Sequence, residues 1–172
     1  TAWPAEYSLY NIMLVYQNYM YTGDKRELES NYQKLKEKTL EQYYDANIGL
    51  MEDVTDSDVS GQKIMVDWPT TERDGYKMTE AYYNTVFNAV CVGGYGDMAK
   101  IADVLGYTEE AEHYRGLAAS IRSNMITKLY NADSGTFYDG LDARGRVVDH
   151  SAQHATVFSL AFGVYTDQAM AD

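Results

Sequence analysis

Apolar residues recur at helical spacing in paired segments, and the members of each pair differ in how widely those residues spread. Residues 5–21 and 81–105 carry apolar side chains on nearly every side, as helices covered by their neighbours do. Residues 24–43 and 108–125 each show one apolar stripe among charged positions, as helices with a solvent face do. A third pair begins near residue 152. The pattern therefore predicts alternating inner and outer helices.

Glycines and capping residues indicate where these helices begin and end. A glycine, the residue that most readily ends an α-helix, follows each inner helix: Gly23, Gly106 and Gly163. A residue able to cap an outer helix comes soon after each glycine: Asp24, Thr108 and Thr166. Ser151 or Asp149 is the predicted cap of the third inner helix. Each inner helix is thus expected to turn tightly into its outer partner.

The helix pairs form an internal repeat. The inner helices begin near residues 5, 79 and 152, which gives a period of roughly 74 residues. The linkers after the first two outer helices, residues 45–53 and 131–139, are also similar to each other. One supersecondary unit used several times predicts an open solenoid or a closed ring of helical hairpins. The broad apolar surface of the inner helices favours the ring.

Composition narrows the classes of function. Acidic residues outnumber basic ones by 26 to 14 in 172 residues, a net charge of −12, and the basic residues are scattered. This balance argues against nucleic acid and anionic membrane surfaces as partners. The single cysteine, Cys91, excludes an internal disulfide. Seventeen tyrosines suit packed helices and sugar-binding clefts alike, because tyrosine joins an apolar ring to a polar tip.

Function is expected at one rim of the helical array. If inner helices run one way and outer helices return, the long connections 46–78 and 130–150 lie together beside the inner-helix N-termini. Long loops in a compact helical domain are usually functional. One stretch of the first loop combines carboxylates, a guanidinium and aromatic rings: Asp67, Trp68, Glu72, Arg73, Asp74 and Tyr76. Such a set suits a carbohydrate cleft. Equally, these residues could simply cap turns and pair with one another.

The second loop ends in two histidines four residues apart, His150 and His154. A metal pair is conceivable at this spacing, but no further ligand accompanies it in a known metal-binding pattern. Polar lining or helix capping is the commoner role for such residues. We therefore predict no metal and no cofactor.

The order of several motifs resembles bacterial α-L-rhamnosidases of glycoside hydrolase family 78. The motifs are Tyr21–Asp24, Val66–Pro69, Glu72–Tyr76, Asn84–Ala89, Gly135–Gly140 and Ser151–Ala155. The resemblance implies an all-α fold of helical hairpins in an (α/α)6 toroid and hydrolysis of terminal α-L-rhamnose with inversion. It covers only the middle of that family's catalytic domain. Residues 1–172 are thus expected to be a single fragment, about half of the ring, with the rest of the catalytic domain as its partner.

The resemblance also implies roles for individual residues. Asp67 and Trp68 match positions that line the rhamnose subsite, as hydroxyl acceptor and ring platform, and His154 would face the subsite from the third inner helix. Three further residues would extend the cleft: Arg73, Asp74 and Tyr76. The family's general acid and general base are expected outside this segment, and Glu72 is the one carboxylate nominated here for acid or base work.

Two other interpretations of the sequence stay open. A different six-hairpin enzyme, acting on another sugar, would share the alternating hairpins. A helical-repeat module without enzymatic activity would use the same rim residues to cap its helices.

Overall fold

A computed structural model describes residues 4–54, 64–67 and 69–165, which form α-helices and short pieces of β-structure. Five helices lie within the described residues: α1 Tyr7–Thr22, α2 Arg26–Lys36, α3 Thr85–Leu105, α4 Thr108–Leu129 and α5 Gln153–Ala161. Helix α3 packs against α1, α4 and α5, and α2 packs against both α1 and α3. The predicted all-α class with alternating inner and outer helices is confirmed.

Helix α3 is the centre of the core because apolar or small side chains surround it. Most of its residues are buried, including Cys91. Two glycines let its neighbours come close. A Cβ on Gly93 would lie 2.5 Å from the Phe162 ring and 3.0 Å from Met13, and one on Gly94 would lie 3.0 Å from Leu9. Side chains from α1 and from the end of α5 therefore converge on the same point of α3.

The flanking helices are less covered than the sequence predicts. In α1, Leu14 and Met20 are 66% and 59% exposed, and in α5 Val157 and Leu160 are 57% and 55% exposed. Both helices pack on α3, and these four side chains lie away from that contact. Helix α1 thus has apolar side chains that no neighbour among the described residues covers.

The helix ends agree with the glycine signals better than with the capping signals. Gly23 and Gly106 end α1 and α3 in the left-handed conformation, at φ 68° and 80°. Asp24 accepts a hydrogen bond from the Arg26 amide (3.0 Å) at the start of α2. Thr108, however, is the first residue of α4 and makes no side-chain cap, which corrects that prediction. Thr166 lies outside the described residues.

Two boundaries also differ from the prediction. Helix α2 ends at Lys36, and Tyr43 belongs instead to a short 3₁₀ helix, Glu41–Tyr43. Helix α3 begins at Thr85, where Asn84 accepts a hydrogen bond from the Phe87 amide (3.0 Å). Its predicted first turn is instead taken up partly by a strand.

The similar linkers fold into similar hairpins, which confirms the internal repeat. Strands β1 (Tyr44–Asp45) and β2 (Leu50–Met51) pair antiparallel, as do β4 (Tyr130–Asn131) and β5 (Thr136–Phe137). Gly49 and Gly135 take the left-handed conformation at corresponding turn positions. The sequence did not reveal these two-residue strands. The inner helices begin at residues 7, 85 and 153, so the repeats differ in length.

The two turn glycines allow a matched test of packing. We expect Gly135→Ala to cost about 1 kcal/mol, because its positive φ is unfavourable for alanine but open space surrounds it. Gly49→Ala should cost distinctly more, since the new Cβ would overlap the Asn124 side chain. Urea unfolding of both variants measures the difference. Equal losses would show that Asn124 moves aside freely.

A third strand pair joins the two long connections. Strand β3 (Tyr83–Asn84) pairs antiparallel with β6 (Gly140–Leu141), next to the start of α3. Gly140 fits there because a Cβ would lie 2.5 Å from the Tyr83 carbonyl oxygen. The pairing brings the connection after α4 against the residues that lead into α3.

Candidate functional site

The loop before α3 and the first turn of α5 bring Asp67 and His154 together. His154 Nε2 lies 3.1 Å from Asp67 Oδ2. The Asp67 side chain is 43% exposed, whereas His154 is only 12% exposed. The histidine thus fixes one oxygen of a carboxylate that solvent can reach. The sequence placed both residues at one site, and the structure brings them into contact.

Arg73 and Asp74 support this pair from the same loop. Arg73 Nε donates a hydrogen bond to the Asp67 carbonyl oxygen (2.8 Å). Asp74 Oδ2 accepts a hydrogen bond (2.9 Å) from the backbone amide of Gln153, which is the first residue of α5. Asp74 also has a positive φ of 52°, a conformation that aspartate tolerates better than most residues. Both side chains hold backbone next to the Asp67–His154 pair.

Helix α5 is therefore capped by carboxylates farther away in the sequence, Asp74 and Asp139, and not by Ser151 or Asp149 as predicted. Its N-cap is Ala152, which has no capping side chain. The Ala152 amide donates instead to Asp139 Oδ1 (2.7 Å). Carboxylates stabilise a helix N-terminus by accepting from its unpaired amides.

Asp139 is a functional candidate that lies in an acidic stretch of the second loop but was not nominated as a site residue from the sequence. It is fully buried, and its other oxygen accepts from His150 Nδ1 (2.7 Å) and from the Lys77 amide (2.8 Å). One carboxylate thus joins both long connections to α5. An acidic residue, Asp53, occupies the corresponding place in the first linker. That repeated position was the available sequence signal.

Tyr76 lies beneath the rim and not on it. The residue is 5% exposed, and its hydroxyl donates to the Asp139 carbonyl oxygen (2.5 Å) and accepts from the Val86 amide (3.2 Å). Burial raises the pKa of Tyr76 well above its usual range. Its ring therefore has no free face for a sugar, and its predicted place in the cleft finds no support in its position.

Two of the site residues predicted from the sequence, Glu72 and Trp68, gain no support from the structure. The exposed Glu72 carboxylate accepts a hydrogen bond from Thr71 Oγ1 (3.3 Å). This setting differs from the water-excluded one that general acids of glycosidases use. Trp68 lies outside the described residues, so its role as a platform stays a prediction.

Glu6, just before α1, is the second candidate that the sequence interpretation missed. It is 4% exposed, and its two carboxylate oxygens lie 3.0 and 3.2 Å from the Met65 amide nitrogen. Burial raises the pKa of Glu6 to about 7, although hydrogen bonds from its own amide and that of Met65 oppose the shift. The sequence offered one signal, a glutamate at the start of an otherwise apolar helix.

Glu6 and Asp67 both line a cavity of about 250 Å³ at the start of α1, which we call the rim cavity. The other lining residues are Pro4, Tyr7, Tyr10, Met65 and Val66. Hydrogen-bond acceptors beside tyrosine rings can bind the hydroxyl groups and the apolar faces of a sugar. This is the chemistry that the sequence predicted for the rim.

A larger cavity, about 620 Å³, lies at the opposite end of α3, where Gly106 leads into α4. Glu110 there accepts a hydrogen bond from the Tyr32 hydroxyl (2.6 Å) and pairs with Lys36. The Glu110 carboxylate is thus already partnered within the protein. The position of the rim cavity beside Asp67 and His154 makes it the better candidate site.

Neither a metal cluster nor a membrane span is found in the part of the chain that the structure describes. His150 and His154 contact different carboxylates, Asp139 and Asp67. Across residues 4–54, 64–67 and 69–165, no three His, Cys, Asp or Glu side chains are grouped so that they could hold a metal ion. No helix within these ranges has the length and apolar character needed to cross a bilayer.

Comparison with known proteins identifies a family whose model matches this chain. The model for the bacterial alpha-L-rhamnosidase 6 hairpin glycosidase domain matches residues 3–172. A search of curated proteins finds no match.

Two solved structures share the fold. A GH78-family rhamnosidase of Bacillus sp. GL1 aligns with a TM-score of 0.78 and 17% identity over 99% of this chain. A rhamnosidase from Klebsiella oxytoca with rhamnose bound aligns with a TM-score of 0.73 and 16% identity over 98% of this chain. The aligned region covers 17% of the first protein and 29% of the second. The helical hairpins are therefore part of a six-hairpin toroid, as predicted.

Proposed function

Because the chain belongs to the bacterial α-L-rhamnosidase six-hairpin glycosidase family, we propose that the complete protein hydrolyses terminal α-L-rhamnose from glycosides with inversion. The observation that carries the proposal is the Asp67–His154 pair beside the rim cavity. Support for the sugar comes from the family and from the rhamnose-bound Klebsiella oxytoca enzyme.

In this proposal the segment binds and orients the sugar. Asp67 accepts a hydrogen bond from a sugar hydroxyl, and His154 holds the carboxylate in position for it. Hydrogen bonds to a charged acceptor are stronger and shorter than neutral ones, so a fixed carboxylate favours one placement of the ring. Arg73 and Asp74 keep the backbone on either side of the pair in place.

The bond cleavage itself requires two further groups. Inverting glycosidases use a carboxylic acid that protonates the leaving oxygen and a carboxylate that activates water, roughly 6.5 to 9.5 Å apart. We propose that both lie outside this chain, in the remainder of the toroid, which is its partner. The alternative, in which one of the two groups lies within this chain, rests on Glu72.

Activity on a panel of aryl glycosides tests the proposed function. The complete protein should release nitrophenol from the α-L-rhamnoside and not from matched α-L-fucosides or β-D-glucosides. Proton NMR of the first turnovers should show β-L-rhamnose before its α anomer. Cleavage of another glycoside alone would overturn the proposed sugar, and α-rhamnose appearing first would overturn inversion.

Asp67→Asn tests the binding role directly. We expect kcat/KM on the α-L-rhamnoside to fall by roughly 10- to 100-fold, as the loss of a hydrogen bond to a charged group predicts. Asp103→Asn is the matched control, because Asp103 is exposed and lies near the other end of α3. Equal activity of the two variants would contradict the assignment of Asp67.

A further inference from the structure

The Glu6 carboxylate holds the backbone of the segment that carries Asp67. Its two oxygens lie 3.0 and 3.2 Å from the amide nitrogen of Met65, two residues before Asp67. Ile64 and Val66 are buried on both sides of that amide, at 8% and 7% exposure. The segment is thus fixed by side-chain packing and by one carboxylate at its centre.

Two features of the surroundings of Glu6 act in opposite directions on its negative charge. Burial disfavours the ionised form. Donors favour it, because Glu6 lies at the N-terminus of α1 and accepts the Met65 amide. Among the described residues, the other titratable groups that interact with it or face it are Tyr7 and Tyr10 of α1, Cys91 of α3 and Asp67 across the cavity.

Of these neighbours, Asp67 bears most on the site. Negative charges on Glu6 and Asp67 face the same cavity of about 250 Å³. Tyr10 and Cys91 stay neutral near pH 7, because burial raises the pKa of each. A proton gained or lost by Glu6 therefore changes both the field at the cavity and the strength of its hold on Met65.

We propose that Glu6 is a positioning residue, whose ionised carboxylate holds the Met65 amide and thereby sets Asp67 against His154. This role rests on the proposed function, because it acts on the same rhamnoside site. When Glu6 gains a proton, it becomes a weaker acceptor, the hold on residues 64–67 loosens and Asp67 binds the sugar less well. Burial raises the pKa of Glu6 to about 7, so the change falls near neutral pH.

Glu6→Gln separates the charge of this residue from its shape. Glutamine keeps an oxygen for the Met65 amide but never ionises, so it mimics the protonated acid at every pH. Glu29→Gln is the matched control, since Glu29 lies exposed on α2. Both variants are made in the complete protein and are compared with the wild type between pH 5.5 and 8.5.

Two measurements are made on these proteins. The first is the ¹H–¹⁵N resonance of Met65 under selective methionine labelling, assigned with Met65→Leu. It should shift with a midpoint near pH 7 in the wild type and Glu29→Gln, but not in Glu6→Gln. The second is KM for the α-L-rhamnoside. As pH falls through 7, KM should rise roughly two- to tenfold in the wild type, the difference expected between charge-assisted and neutral hydrogen bonds. In Glu6→Gln it should stay at its high value throughout.

These results separate the two proposals. A wild-type protein that cleaves no rhamnoside would defeat the proposed function, and the Met65 resonance would still decide whether Glu6 holds the segment. With an active protein, a KM profile that Glu6→Gln shares with the wild type would overturn the positioning role. The positioning role would also be overturned if the Met65 resonance did not shift between pH 5.5 and 8.5.

Discussion

Replacing Asp139 with alanine is expected to lower the free energy of unfolding by about 3 to 5 kcal/mol, near the upper end for single substitutions. Asp139 is fully buried and accepts hydrogen bonds from His150, Lys77 and Ala152. Alanine leaves all three donors without this partner, and a donor left unsatisfied in the interior, as the buried Ala152 amide would be, costs about 1 to 3 kcal/mol. The loss arises from unpaired polar groups more than from the small cavity.

Urea unfolding of the complete protein measures this loss, with two variants for comparison. Asp139→Asn retains one accepting oxygen but presents an amide group where the other stood, so an intermediate loss is expected. Asp133→Ala removes an exposed carboxylate from the turn between β4 and β5 and should leave stability unchanged. Equal stability of Asp139→Ala and Asp133→Ala would show that Asp139 does not hold the loops together.

Glu6 should make stability fall as pH rises from about 4.5 to about 7. Over that range the folded protein retains a proton on Glu6, since burial raises the pKa of Glu6 from 4.5 to about 7, while the unfolded chain releases it. The folded state binds more protons than the unfolded one, so its stability decreases with pH. The shift corresponds to about 3 kcal/mol, fully lost above pH 7.

Unfolding at pH 5 and at pH 8 tests this dependence. Glu6→Gln should be favoured over the wild type by about 2.5 kcal/mol more at pH 8 than at pH 5, because it has no charge to bury. Glu29→Gln, on the surface of α2, should follow the wild type at both values. A constant difference between Glu6→Gln and the wild type would mean that Glu6 does not titrate in this range.

Much of the helical architecture was predictable from sequence, because local signals determine it. Apolar periodicity located the inner and outer helices, and Gly23 and Gly106 marked two of their ends. The similarity of residues 45–53 and 131–139 revealed the repeat. These signals are confined to a few neighbouring residues, and tertiary contacts did not override them.

The supports of the site were not predictable in the same way, because their partners are distant in sequence. Asp74 caps a helix that begins 79 residues later, and Glu6 binds the amide of a residue 59 positions away. Tyr76 has an apolar ring and a polar tip, so the sequence could not decide between the rim and the interior. Burial and hydrogen bonding decided it in favour of the interior.

The two-carboxylate cap of α5 has a consequence for the order of folding. The helix has nine residues, fewer than the 12 to 15 or so that an isolated helix needs to persist in water. Its first amides depend on Asp74 and Asp139, from loops that come earlier in the chain. We therefore expect α5 to become ordered late, after both loops have closed. His154 would then reach Asp67 only after the rim has folded, so the site would form only in correctly folded protein.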